Sequence, residues 1–181
     1  MTEGGWRLQN CHSLSYPSPK LNVGCGRVRP DGFINIDATP GDGIDYIIDL
    51  DHDRLPFEAD SVYAVLASHV LEHLAHMDYV MGEFHRILRP GGIVEGYLPY
   101  GHNWNYYHVR FMKPRSFPIA FGEPASRCLA VYPSWRVKLV EISKRHLPFQ
   151  WHMERYLGIP PKYGRAMELH FILEKQGGAP R

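Results

Sequence analysis

Two glycines and an acid are the first residues in this chain whose types and spacing could do chemistry. Gly24 and Gly26 flank Cys25 where the run Lys20-Leu-Asn-Val ends, and Asp37 ends the next short apolar run, Phe33-Ile-Asn-Ile. Glycine lets a ligand approach the main chain closely, in a conformation that a Cβ would block. A carboxylate can accept hydrogen bonds from both hydroxyls of a ribose. A bare turn and an acid at neighbouring strand ends therefore suit a nucleoside. His69, Glu72, His73 and His76 are a second group, falling at i, i+3, i+4 and i+7 on one face of any helix that starts near Ser68. Such residues can ligate zinc or iron, but a solvated or capped helix face, with Glu72 favoured in the first turn by the helix dipole, is the preferred reading. No metal is expected. His69, His102 and His108 lie at or after predicted strand ends, and histidine is the natural proton acceptor at neutral pH.

The spacing also excludes. A dinucleotide fingerprint needs a small residue three positions after the second glycine and an acid roughly 20 positions on. This chain has Arg29 there, and Asp37 comes 13 positions after Gly24, so any helix after the turn is vestigial. No Gly-Lys-Ser or Gly-Lys-Thr follows, which removes the phosphate-binding P-loop. Cys11, Cys25 and Cys128 are odd in number and form no Cys-x-x-Cys, so reduced thiols are expected. Cys25 reads as a small tolerated residue rather than a nucleophile, since no basic partner is adjacent.

The elements that must position these residues follow from the apolar pattern. Residues 1–19 are polar, with Pro17 and Pro19, and read as a loose N-terminal arm. Strand signals come at 20–24, 33–37 and 46–50, joined by connections too short for full helices. Val62 to Ala67 is continuously apolar, as suits a central parallel strand covered on both faces. Leu71, Leu74, Met77, Met81, Phe84 and Leu88 recur at three- and four-residue steps and predict one helix, stopped by Pro90-Gly91-Gly92. Strands follow at 93–98 and 135–144. Met167, Leu169, Phe171 and Leu173 alternate with polar residues, which predicts a half-exposed, antiparallel last strand. Residues 101–121 form a long loop in which Trp104, Tyr106, Tyr107 and Phe111 either line a pocket or pack the loop itself.

The predicted architecture is α/β, a Rossmann-like, mostly parallel sheet with an antiparallel C-terminal strand and reduced early helices. Residues 20–175 make a single domain and 176–181 a tail. In such sheets the ligand lies outside the carboxyl ends of the strands, where strand order reverses. Those ends are Gly24–Gly26, Asp37, Asp49–Leu50, Ser68–His69 and Pro99–Tyr100.

At 181 residues with a net charge of +1, the chain can bury a full core without staples and offers no basic surface for nucleic acid. The start carries no basic segment followed by an apolar run, and no stretch approaches the roughly 18 apolar residues of a membrane span. Neither nucleic acid nor membrane is an expected partner, and a cytoplasmic location is expected.

Taken in order, Leu-Asn-Val-Gly-Cys-Gly26, Gly-Phe-Ile-Asn-Ile-Asp37, Asp49-Leu50 with Leu55-Pro-Phe57, Ser68-His-Val-Leu-Glu-His-Leu74, Arg86-Ile-Leu-Arg-Pro-Gly-Gly92 and His108-Val-Arg-Phe-Met-Lys-Pro-Arg-Ser-Phe117 resemble the class I S-adenosylmethionine-dependent methyltransferases, in particular the compact type 11-like group. The resemblance spans roughly residues 20 to 117. It implies that Gly24, Cys25 and Gly26 lie against the methionine moiety, that Asp37 holds the ribose, and that Asp49 and Leu50 hold the adenine. Ser68 and His69 would lie near the sulfonium. Two departures stand out: Asn22 replaces an acid common in that group, and the helix after the first turn is almost absent. The implied activity is methyl transfer from S-adenosylmethionine to oxygen or nitrogen of a small-molecule or sugar-type acceptor, with His69, His102 and His108 as candidate bases. Oligomerisation is possible. The alternatives are a non-catalytic cofactor-binding subunit or regulatory module, and a metal-dependent hydrolase built on His69, Glu72 and His73.

Overall fold

In the computed structural model, residues 12–100, 108–109, 113–114, 135–144 and 167–177 are described. His102, Trp104, Tyr106, Tyr107, Phe111, Cys11 and Cys128 lie outside them. The strands are β1 (Lys20–Val23), β2 (Ile34–Asp37), β3 (Tyr46–Ile47), β4 (Val62–Ser68), β5 (Leu88–Tyr100), β6 (Trp135–Lys144) and β7 (Met167–Lys175), with helix α1 at Met77–Ile87. They form one sheet in the order β3-β2-β1-β4-β5-β7-β6. β1 to β5 pair in parallel, and β7 runs antiparallel to both β5 and β6. Strand order reverses between β1 and β4, which fixes the crevice at their carboxyl ends.

The early connections hold turns and bends but no α-helix, as the close spacing of strand signals implies. Buried Asn22 explains part of how so short a β1–β2 link holds its shape. Its side-chain amide donates to the Val28 carbonyl at 2.8 Å and to Asn35 Oδ1 at 2.9 Å. A carboxylate has no hydrogen to donate. Asn22→Asp is therefore expected to destabilise the chain by about 2–3 kcal/mol, read as a lower midpoint of urea unfolding.

The predicted helix is broken in two. Leu71–His73 is a single 3-10 turn, Leu74 is extended, and α1 begins only at Met77. Both segments keep buried residues in phase, because a 3-10 turn repeats every three residues and mimics helical spacing. α1 buries Met77, Val80, Met81, Phe84 and Ile87 against Leu21, Val23, Ile36, Val65, Val94 and Leu98 of the sheet. Its start is capped from a distance: the Asp51 carboxylate accepts the Ala75 and His76 amides at 2.9 and 2.7 Å. Its end is held by Arg86, which pairs with Glu83 and donates to the Leu55 and Phe57 carbonyls. The chain then passes directly into β5, with Pro90, Gly91 and Gly92 inside that strand rather than in a separate stop.

Two expectations about the flanks need correction. β7 is not half exposed; Leu169 through Leu173 are all buried, because the last strand inserts between β5 and β6 and leaves β6 at the edge. The described part of the arm is not loose. Residues His12–Ser15 form a 3-10 turn whose His12 and Ser13 amides donate to the Glu95 carboxylate at 3.1 and 2.7 Å. Glu95 is fully buried in β5, and His170 of β7 contacts it through Nε2 at 2.8 Å and Glu141 of β6 through Nδ1 at 3.2 Å.

Candidate cofactor and acceptor site

Parallel pairing brings the predicted strand ends together. The Gly26 amide donates to Asp37 Oδ2 at 2.8 Å, and the Thr39 amide to Oδ1 at 3.0 Å. The turn and the acid are thus adjacent, and each carboxylate oxygen keeps a lone pair for a further donor. Arg29 closes the turn from outside by donating to the Gly26 carbonyl at 2.8 Å.

The two glycines serve different purposes. Gly26 has φ +52°, and a Cβ built on it would meet nothing within 4 Å, so the space beside Asp37 is open. Gly24 has φ +60°, and a Cβ there would fall 2.4 Å from Val70 Cγ2. The space on the Cβ side of Gly24 is therefore filled by Val70, from the segment after β4. This locks the first turn to the β4 end and leaves the cradle on the Gly26 side. Cys25 is buried, and burial followed by the nearby Asp37 charge raises its thiol pKa, which keeps it protonated and unreactive. The cradle fits an adenosyl ligand that carries a carboxylate instead of phosphates: it offers backbone and an acid, with no need of a lysine.

Asp49 and Leu50 follow β3. Leu50 is buried, and Asp49 uses its carboxylate on its own turn, accepting the Asp51 amide at 3.0 Å and contacting His52 Nδ1 at 3.0 Å. The hydrogen bond to His52 and that from Asp51 hold its carboxyl below the usual range. An open cleft of about 500 Å³ lies nearby, between the Asp51–His52 turn and the start of α1, but it contains neither the glycine turn nor Asp37.

Ser68 ends β4, and His69 follows it with φ +54°. The His69 amide donates to the Tyr97 carbonyl at 2.8 Å. Its ring lies between two acids: Nε2 is 2.5 Å from Glu168 Oε1, and Nδ1 is 3.3 Å from Glu72 Oε1. Both ring nitrogens of His69 thus face carboxylates. His108 reaches the same place from beyond β5, where the Val109 amide donates to the Glu72 carbonyl at 2.9 Å. Its ring meets that of His73 edge-on at 4.9 Å between centroids, and burial lowers its pKa, so it is neutral at pH 7.

The expected solvated helix face is therefore corrected. His69 and Glu72 do not share an α-helix, and Glu72 is buried rather than solvated. Glu168 and Tyr97 escape the sequence reading. The only signal for Glu168 is its place at the start of an alternating strand, and its arrival opposite Pro99 depends on a register that no local pattern encodes.

Residues 34–95 match the model of a family described as a methyltransferase domain. No curated protein matches the sequence. Among solved structures, a chain in the complex between the Haloferax volcanii Trm112 methyltransferase activator and a methyltransferase is 17% identical, with a TM-score of 0.59 over 97% of this chain and 91% of that one. The Burkholderia thailandensis 1,6-didemethyltoxoflavin-N1-methyltransferase, solved with bound 1,6-didemethyltoxoflavin and S-adenosylhomocysteine, is 15% identical with a TM-score of 0.56 over 87% of this chain and 70% of that one. The [4+2]-cyclase SpnF is 16% identical with a TM-score of 0.53 over 88% and 74%, so likeness at this level speaks for the fold alone. The matched family segment begins at β2, runs past Asp37, Asp49 and Glu72 into β5, and sits in a fold that solved methyltransferases share; residues 34–95 thus carry a methyltransferase-domain sequence pattern within a Rossmann-like methyltransferase fold.

Proposed function

We propose that this methyltransferase acts on oxygen or nitrogen of a small-molecule or sugar-type acceptor, with S-adenosylmethionine held along the carboxyl ends of β1, β2 and β4. The observation that carries the reading is the open Gly26 cradle beside Asp37, whose carboxylate is oriented by two backbone amides. In it, Asp37 binds the ribose hydroxyls, the backbone at Cys25 and Gly26 faces the methionine part, and buried Leu50 offers an apolar edge to the adenine. When bound, the cofactor supplies an activated methyl group, so what remains for the protein is alignment and exclusion of water. Val70, packed over Gly24, walls the crevice on one side. The group formed by His69, Glu72, His73 and His108 faces the acceptor and governs its proton.

Isothermal titration with S-adenosylmethionine and S-adenosylhomocysteine tests the site. Both are expected to bind. Asp37→Ala should weaken both by about 2 kcal/mol, roughly 30-fold, as for the loss of a charged hydrogen-bond partner. Equal affinity in the variant would refute the assignment of Asp37. A screen of hydroxyl and amine acceptors for S-adenosylhomocysteine release then identifies the substrate.

A further inference from the structure

The Glu72 carboxylate is buried, at 2% exposure, and neither of its oxygens accepts a hydrogen bond. A carboxylate out of water without donors is costly enough that proteins normally pair it or give it to a metal. Its nearest basic neighbour, His69 Nδ1 at 3.3 Å, is not aligned to donate, and the other nitrogen of that ring already meets Glu168. What surrounds the carboxylate is nitrogen: one ligand atom each from Glu72, His73 and His108 lies within 4.8 Å of the other two.

We propose that Glu72, His73 and His108 bind one divalent cation of the zinc class, through one carboxylate oxygen and two imidazole nitrogens. Two histidines and one carboxylate are a familiar ligand set for such ions, and three protein ligands leave a position open. Bonds of about 2.0–2.1 Å in a tetrahedron would set the ligand atoms roughly 3.4 Å apart, a modest contraction from the present spacing. The ligands come from two segments, the 3-10 turn after β4 and the chain beyond β5, already joined by the Val109–Glu72 backbone hydrogen bond. His69 stands beside the site, linking Glu72 to Glu168 of β7, as residues that orient metal ligands do. The cation would supply the charge that Glu72 lacks and offer its open position to an oxygen of the acceptor. The binding claim stands on these residues alone and survives if the cofactor reading fails.

The full chain, stripped with a chelator, is titrated with Zn²⁺ at pH 7.5, and with Co²⁺ as a visible-absorbing probe. One equivalent is expected to bind saturably, with cobalt giving d–d bands of a four- or five-coordinate site. Glu72→Gln and His108→Ala should each weaken zinc binding at least about tenfold, whereas His52→Ala and His12→Ala leave it unchanged. Thermal melts serve as a second readout. Zinc should raise the wild-type Tm, and Glu72→Gln, which removes an uncompensated buried charge, should melt at or above the metal-free wild type yet no longer respond to zinc. His73→Ala replaces it if it fails to fold. Absence of saturable binding at micromolar zinc, or binding indifferent to both Glu72→Gln and His108→Ala, would overturn the site.

Discussion

Alanine at Gly24 is expected to destabilise this protein strongly, while alanine at Gly26 is expected to leave it folded but with weakened cofactor binding. At Gly24 the new Cβ would lie 2.4 and 2.6 Å from two carbons of Val70, closer than real contacts allow. It would also be forced into a left-handed conformation that costs an L-residue about 1–2 kcal/mol. Overpacking adds about 1–3 kcal/mol, so a total near 4 kcal/mol should appear as a sharp drop in the urea midpoint. At Gly26 only the conformational cost remains, since nothing lies within 4 Å. The added methyl instead enters the cradle, and S-adenosylmethionine affinity should fall at least tenfold, or about 1.4 kcal/mol. A double variant sharpens the contrast. Val70→Ala makes room and should recover part of the Gly24→Ala loss, a coupling expected of residues in direct contact. Equal stability of the two glycine variants would mean that Val70 does not occupy the space assigned to it.

The second large effect concerns Glu95. Removing its side chain strips the acceptor from the His12 and Ser13 amides and leaves His170 buried without its closest partner. Breaking one half of such a buried pair costs about 3–5 kcal/mol, so Glu95→Ala should be strongly destabilised and its arm open to protease near His12. The same network makes a pH prediction. Burial opposes a charge on His170, but the hydrogen bonds it donates to Glu95 and Glu141 outweigh it and raise its pKa above the ordinary histidine value. A group whose folded pKa is raised stabilises fully below its unfolded pKa, about 6.5, and loses that contribution as pH climbs through the raised value. His85 and His108 are lowered by burial and act oppositely, losing stability as pH falls below about 6.5. The difference between wild type and His170→Asn isolates the first effect. It should be largest at pH 6 and shrink towards pH 9, and a difference that grows with pH would contradict the network.

How much of this was legible beforehand depends on the range of the interaction. Val62 to Ala67 declared a central strand because a strand covered on both faces has no reason to alternate. The glycine turn and Asp37 were legible because both ends of that contact lie within a few residues of their strand ends. Periodicity alone starts the helix at Leu71, nearly two turns before Met77, because Leu71 and Leu74 keep a three-residue period that 3-10 and α geometry share. β7 reads as half exposed in the sequence because Glu168, His170 and Glu174 look like solvent-facing residues in isolation. They are polar for another reason: His170 meets Glu95 and Glu141, Glu168 meets His69, and Glu174 pairs with Lys138. Those partners come from elements brought alongside by strand register, which no local pattern states. The solvated reading of Glu72 failed in the same way.

The position of β7 bears on how the chain reaches this state. β7, seated between β5 and β6, must find partners on β5 that lie 67 to 81 residues back, from Tyr100 opposite Met167 to Ile93 opposite Glu174, and contacts of such separation form late and slowly. Until β7 inserts, the nascent sheet ends on β5, a 13-residue strand with one unsatisfied edge, and such edges recruit other chains. Expression that stalls or truncates before Met167 should yield aggregates rather than a smaller folded protein.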